Sequence, residues 1–378
     1  MRRQGRQARQ EEERCETFFL RICFFLACLA FLAAPLLSAD EYRQALHERQ
    51  WSFPRDHGRH DGFRTEWWYF TGNLHDASGR KFGYQVTFFR TAFASNATTR
   101  PSPWAMRDLY FAHAAISDLA EQKFVYKDRL ERGRPGLAFA ADDRLDVVLL
   151  DWFTRQRGND ILLHAVERDF AIDLTCSGGR GPILQGPGGV NLKGREPGQA
   201  SYYYSMTRLK TSGTLMLDGK SYKVEGQSWM DHEFSSNALA SNQTGWDWMG
   251  LQLSDGSDLM IYRIRSKSGT DDYLSGTHVT PDGTPHYLSA ADIQLQGSRP
   301  WTSPASGGVY PQRWSLKVAG LREMIVQSEM PGQELVTSSS TKIAYFEGAC
   351  EVLDKKGSRV GEGYLEMTGY SSSLGGSF

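Results

Sequence analysis

A chain of 378 residues suits one large domain or two of ordinary size, and 40% apolar with 12% aromatic residues exclude a disordered chain. Charged residues make up 23% and nearly cancel, to a formal charge of −1, so no basic face marks a nucleic-acid partner.

The first 39 residues read as a targeting segment. Arg2, Arg3, Arg6, Arg9, Arg14 and Arg21 precede an apolar run over 22–37, and Ala39 offers a small residue for cleavage. The alternative is an uncleaved anchor, but the run is shorter than the roughly 20 residues a spanning helix needs. An exported, periplasmic or envelope location is therefore expected.

From residue 66 onward the pattern is β. Residues 66–74 (EWWYFTGNL) and 82–90 (FGYQVTFFR) form a hairpin across HDASGRK. Strands over 109–118, 123–130, 144–153, 161–167 and 170–175 continue the meander. Residues 178–198 are Gly/Pro-rich and read as a loop over the surface or a barrel mouth. Their GPGG is no phosphate loop, because no GK[ST] follows. Residues 201–209 (SYYYSMTRL) make another strand, LDGK a tight turn, and 224–230 a strand leading into a dense stretch.

That stretch, 227–253, reads QSWMDHEFSSNALASNQTGWDWMGLQL and concentrates aromatic and ionisable groups where two β regions meet. LSDGSD turns 246–253 back into 259–265; strands at 273–280, 291–296, 313–318, 323–327, 342–353 and 361–368 complete the chain. The expected fold is all-β, with two consecutive antiparallel barrels or curved sheets: an N-terminal domain over 40–225 and a C-terminal one over 226–378.

Candidate residues fall in three clusters. In the first, His57 and His60 make an HxxH pair with Asp56, Asp61 and Glu66 nearby. Two imidazoles and a carboxylate suit a metal. The helical HExxH order is absent, so a loop closing one barrel end is the preferred reading and no metal or other cofactor is expected. Strand alternation puts Glu66 on one face with Trp68, Phe70 and Leu74. There it is either paired, as with an arginine, or raised in pKa and useful as an acid.

The second cluster is the tyrosine run, with Tyr202 and Tyr204 on one face and Tyr203 and Ser205 on the other. It is either a hydrogen-bonding ladder at an apolar pocket or cross-strand packing. The third is the dense stretch. Asp231 and His232 stand where a strand ends, and with Glu233 make either a proton-transfer group or a brace at the domain junction. Trp246 and Trp248 share a face with Gly250, which leaves room for an approach to the sheet, and Asp247 shares the other with Met249. No GxSxG elbow marks a serine hydrolase. Cys176 and Cys350, the two cysteines beyond the leader, are either a long-range bridge or two buried thiols.

The segments FPRDHGRHDGFRTEWWYFTGNL, FGYQVTFFR, FAHAAISD, SYYYSMTRL, GQSWMDHEF, GWDWMGLQL, DLMIYRIR, YFEGAC and GYLEMTGY, running from Phe53 to Tyr370, resemble the carotenoid 1,2-hydratase-like family of CrtC/AttH type. EWWY and GWDW are similar to its secreted branch, often labelled predicted secreted hydrolases. The resemblance implies two lipocalin-like β-barrel domains with an apolar pocket in or between them. It also implies a substrate class of hydrophobic molecules. Family members include hydratases that add water to an isoprenoid double bond, and others are encoded with ABC-transport components. Asp231, His232 and Phe234 occupy a family motif of Asp–His, any residue, aromatic; Phe234 stands where hydratases more often show tryptophan.

The leading expectation is an exported protein enclosing a lipid or isoprenoid, with acid-catalysed hydratase or isomerase chemistry left open as an addition to binding. Asp231, His232 and Glu66 are the candidate proton donors. Trp68, Tyr202, Tyr204, Trp229, Phe234, Trp246, Asp247 and Trp248 are the candidate ligand-binding residues. The alternatives are a non-catalytic carrier or ABC-transporter accessory, and a secreted hydrolase.

Overall fold

The computed structural model describes residues 42–93, 107–237, 239–270 and 272–375; the expected leader and its cleavage point lie outside them. The chain is nearly all β and folds into two antiparallel sheets, as its alternating Val, Ile, Tyr, Phe and Trp patterning predicts.

The first sheet contains β1 (Thr65–Asp76), β2 (Lys81–Ala92), β3 (Asp108–Asp118), β4 (Lys123–Arg132), β5 (Ala138–Ala140), β6 (Asp146–Leu149), β7 (Trp152–Arg157), β8 (Asp160–Val166), β9 (Phe170–Ser177), β10 (Pro182–Leu184), β11 (Val190–Leu192), β12 (Ala200–Leu217) and β13 (Lys220–Ser235). The second contains β14 (Gln243–Leu253), β15 (Asp258–Ser266), β16 (Tyr273–Val279), β17 (Pro285–Leu288), β18 (Ile293–Thr302), β19 (Val309–Val318), β20 (Met324–Ser328), β21 (Glu334–Val336), β22 (Ala344–Leu353) and β23 (Arg359–Met367). The chain passes from one sheet to the other between Ser235 and Gln243.

Strand order in the first sheet is β4-β3-β2-β1-β13-β12-β9-β8-β7-β6-β5, with β10 and β11 also pairing with β12. The sheet nearly closes into a barrel: the backbone N–H of Ala140 on β5 donates to the Tyr110 hydroxyl on β3, 3.2 Å away. The second sheet runs β17-β16-β15-β14-β23-β22-β20-β19-β18, with β21 added to β22.

Two local expectations are corrected. The strand expected over 144–153 is two strands, because Leu150 turns the chain with φ of 58° and β6 folds back on β7. The loop expected over 178–198 contains two three-residue strands that borrow the edge of β12. Its glycines let it do so: Gly186 has φ of 91°, and a Cβ there would meet the Val190 carbonyl oxygen at 2.2 Å.

Each sheet has its own apolar interior. Trp68, Phe70, Tyr84, Phe88 and Trp152 fill the first; Met249, Leu251, Tyr310, Trp314 and Leu316 fill the second. A third apolar layer, with Tyr69, Tyr203, Trp229, Trp248, Met260 and Tyr262, lies between the sheets. There the Asn73 amide of β1 donates to the Gly363 carbonyl of β23 at 3.0 Å, and a Cβ on Gly83 of β2 would meet Ala349 of β22 at 2.8 Å. Cys176 sits in the first interior and Cys350 in the second, so they are two separate buried thiols. Among the described residues no helix is long and apolar enough to cross a membrane.

Trp152 is fully buried and donates its indole N–H to the Val166 carbonyl at 3.0 Å. Trp152→Ala should destabilise the fold by about 3–5 kcal/mol in denaturant titrations, through the cavity it leaves.

Candidate functional site

The alternation of β1, β12 and β13 sends neighbouring residues to different places. Trp68, Tyr202, Tyr204, His232 and Phe234 turn into the end of the first barrel. Trp67, Tyr69, Tyr203, Trp229, Asp231 and Glu233 turn toward the second sheet. Asp231 and His232 are not at a strand end, as expected, but within β13, on opposite faces of it. The expected Asp–His–Glu proton-transfer group is therefore not assembled.

The barrel end holds a brace. The fully buried Glu66 carboxylate accepts from His60 Nδ1 at 2.8 Å, His232 Nε2 at 2.9 Å and the His60 backbone N–H at 3.0 Å. Arg90 lies 3.5 Å from its second oxygen. His60 Nε2 reaches Asp56 at 3.1 Å, and Asp56 is held by Arg49 at 2.9 Å and the Ser52 N–H at 2.7 Å. Tyr204 bridges His57, at 2.7 Å, and His232, at 3.1 Å. Rings clamp the imidazoles: Phe234 stacks on His60 with centroids 3.6 Å apart, and Trp68 on His232 at 4.9 Å. Trp51 and Tyr202 close the same end, where the Tyr202 hydroxyl donates to the His47 carbonyl at 2.7 Å.

Burial would raise the Glu66 pKa, but the hydrogen bonds from His232 and His60 outweigh it and hold the carboxyl well below its usual range. Burial lowers the pKa of His57, to about 4, and of His232. Of the two readings for Glu66, paired or protonated acid, the geometry is the paired one. His60, Glu66 and His232 bring donor atoms within 4.8 Å of one another, enough to consider a metal. Here both imidazoles point at one Glu66 oxygen at hydrogen-bond distance and a guanidinium stands beside it, which suits a brace.

Asp247 belongs to a different cluster. Arg263 holds it at 2.7 Å, Arg265 and the Tyr370 hydroxyl hold its other oxygen, and it faces the interior of the second sheet. The room at Gly250 is taken by tryptophan: a Cβ there would meet the Trp248 ring at 2.5 Å and Trp229 at 3.2 Å.

Between the sheets lies a cavity with about 1090 Å³ of atom-free space, counting its open mouth. Its walls are mainly aromatic and aliphatic, including Trp67, Phe89, Phe111, Trp246 and Trp248. A shallower hollow shares Thr65, Thr91, Phe111, Thr341 and Ile343 with it and forms its outward continuation. Of the residues expected from the sequence, Asp231, Trp246 and Trp248 line this cavity. Trp229 stands behind the wall, and Glu66 borders it with its carboxylate turned into the brace.

Asp231 is a saturated acceptor. Trp229 Nε1 donates at 2.6 Å, Ser205 at 2.5 Å and Tyr203 at 2.7 Å; Trp248 in turn donates to the Tyr203 oxygen at 3.1 Å. Burial nevertheless pushes its pKa up to about 7. Lys193 pairs with Glu233 at 2.8 Å and lies over Tyr203 and Tyr262.

The sequence reading missed two carboxyls. Glu347 on β22 and Glu366 on β23 occupy directly opposed positions, which places their Cβ atoms about 5 Å apart. Both line the cavity; Glu347 is buried and Glu366 half-buried. Burial pushes Glu366 up to about 8, against a hydrogen bond from Trp246. Burial, then the charge of Glu366, pushes Glu347 well above the carboxylate range, and Tyr69 donates to it at 2.8 Å. Such a pair stays protonated near neutral pH. The sequence does contain a signal for it: in YFEGAC and GYLEMTGY each acid shares its strand face with a tyrosine two residues before it. Register alone reveals that the two faces coincide.

The two kinds of carboxyl give opposite pH signatures. Glu66 has its pKa lowered on folding from an ordinary 4.5, so its stabilisation is present above that value and lost as pH falls through it. Glu66→Gln should cost about 3–5 kcal/mol at neutral pH, with the gap from the parent protein closing in acid. Glu366 has its pKa raised, so its contribution is present below 4.5 and lost as pH rises toward about 8. Glu366→Gln should therefore gain stability relative to the parent as pH increases over that window. Urea melts at a series of pH values check both.

The sequence profile described as AttH-like matches residues 44–370. A crystal structure of an AttH-type protein from Nitrosomonas europaea is similar, with a TM-score of 0.79 and 33% identity over 87% of this chain and 99% of that one. Kievitone hydratase from Nectria haematococca shares the fold, with a TM-score of 0.64 and 14% identity over 88% of this chain and 97% of that one. No curated protein matches the sequence.

Proposed function

The chain belongs to the AttH-like family, and from that footing we propose that it binds an apolar, alkene-bearing small molecule between its sheets and catalyses acid-dependent addition of water. One observation carries this reading: the cross-strand Glu347–Glu366 pair, kept protonated by burial inside an aromatic-walled cavity.

Hydration of an unactivated double bond begins with proton transfer to carbon. It needs an acid that is still protonated at neutral pH and a wall that stabilises the developing cation. Glu366 supplies the proton; Glu347, held by Tyr69, keeps that proton from being lost. Trp246 and Trp248 present π faces to the cationic carbon. Water then adds, and its surplus proton leaves. Asp231, saturated by three donors, fixes the tryptophan and tyrosine walls and stays out of the proton transfer. The N-terminal segment directs export, so the molecule acted on is one of the cell envelope.

A second reading, a carrier that encloses the same molecule unchanged, draws support from that saturation of Asp231, since a cavity whose polar groups are internally matched favours holding an apolar guest.

Incubating the protein with an envelope lipid extract in water labelled with heavy oxygen distinguishes them. Hydration yields a product heavier by one labelled water, at a rate that falls as pH rises through about 8. Glu366→Gln should lower that rate roughly 100-fold or more. A retained lipophile of unchanged mass supports the carrier, and an unaffected Gln variant removes Glu366 from the chemistry.

A further inference from the structure

The cavity wall contains a second chain of polar groups that neither the brace nor the carboxyl pair uses. His113 on β3 and Tyr345 on β22 both line the cavity and are buried. Tyr345 lies 2.5 Å from His113 Nδ1, and His113 Nε2 lies 2.9 Å from the Ser340 hydroxyl. Ser340 donates that hydroxyl to Asp128 at 2.8 Å; the backbone N–H groups of Ser339 and Ser340 donate to the same carboxylate oxygen at 2.8 and 2.7 Å.

The direction of every hydrogen in this chain follows from its end. The Ser340 hydroxyl has one hydrogen, and Asp128 takes it. The Ser340 oxygen must then accept, so His113 carries its hydrogen on Nε2. Nδ1 is left bare, and the Tyr345 hydrogen points at it. The Tyr345 oxygen therefore offers lone pairs to its remaining surroundings. Burial keeps His113 neutral, with its pKa lowered to about 4. The composition Ser–His–Asp suggests a hydrolytic triad, but the order excludes it: the Ser340 hydrogen points at the carboxylate and away from the imidazole, so the serine is not activated.

We propose that Tyr345 is the proton acceptor of the cavity, with His113, Ser340 and Asp128 as positioning residues that carry the proton outward. This deepens the hydration reading and rests on it for the catalytic step. When water bonds to the cationic carbon, its surplus proton passes to the Tyr345 oxygen. The Tyr345 hydrogen moves to His113 Nδ1, the Nε2 hydrogen to Ser340, and the Ser340 hydrogen to Asp128. Each group ends neutral or restored, and one proton has moved from the cavity to the Asp128 carboxylate behind its wall. Glu347 of the acid pair and the acceptor are both on β22, with Tyr345 two residues before Glu347 on the same face, and Glu366 stands opposite on β23. The ligand this selects is an apolar molecule with a hydroxyl, or one gaining a hydroxyl, directed at Tyr345.

The test uses 2-naphthol and its methyl ether as probes, and needs no natural substrate. Naphthol, a hydroxyl donor, should bind about threefold to tenfold more tightly than the ether. As a photoacid it should also emit as naphtholate when excited in the site. Tyr345→Phe should abolish both the preference and the naphtholate emission. His113→Gln should preserve binding yet lose the emission, a split that a purely structural role would not produce. In the parent protein, NMR of the imidazole nitrogens should show His113 protonated on Nε2 alone; the opposite tautomer overturns the proposal even if the variants fail to fold. Equal binding of the two probes overturns it while leaving the cavity reading in place. Binding of neither probe overturns both.

Discussion

Where the two sheets meet, strands such as β1, β14 and β22 are covered on both faces, and a strand side chain can look into only one of the two spaces it separates. That constraint organises the molecule. On β13, Met230, His232 and Phe234 serve the first interior, while Trp229, Asp231 and Glu233 serve the layer between the sheets. On β1, Glu66 and Trp68 belong to the brace and Trp67 and Tyr69 to the cavity. Two polar systems thus stand back to back across a single thickness of backbone, with opposite electrostatic characters. The brace gathers cations and imidazole donors around carboxylates and keeps them ionised. The cavity isolates Glu347 and Glu366 among rings and keeps them neutral.

The difference is one of partners, because burial is nearly complete in both. Glu66 is 0% exposed and Glu347 is 1% exposed. Two imidazoles, a backbone N–H and a guanidinium surround the first; another carboxyl and a tyrosine hydroxyl surround the second. A buried charge without compensation is expensive, so the first keeps its charge and the second keeps its proton. An aromatic strand carrying an acid is thus compatible with either outcome, and only cross-strand neighbours decide between them.

This is also where sequence reasoning ended. The all-β class, the hairpin of β1 and β2, the tight turn between β12 and β13 and the family were legible from periodicity, turn residues and motif order. The alternation rule placed Glu66 with Trp68 and Phe70, where they are found. Applied one step further, it already separated Asp231 from His232, although adjacency in the motif had suggested a joint role. His113 on β3, Tyr345 and Glu347 on β22 and Glu366 on β23 meet only through the β22–β23 register and the stacking of the two sheets. Neither can be computed from local pattern. The strand over 144–153 failed for a local reason, since Leu150 adopts a positive φ without being glycine, asparagine or aspartate.

The cavity is bounded by two sheets that each complete an apolar interior of their own. Its lining residues are thus the outward-facing alternates of strands whose inward-facing alternates do the folding. Substitution in the lining reshapes the cavity while both interiors remain intact. In evolutionary terms the architecture separates the positions free to diversify from those that must be kept, residue by residue along the same strand. A family built this way can keep one backbone while its members drift toward different chemistries.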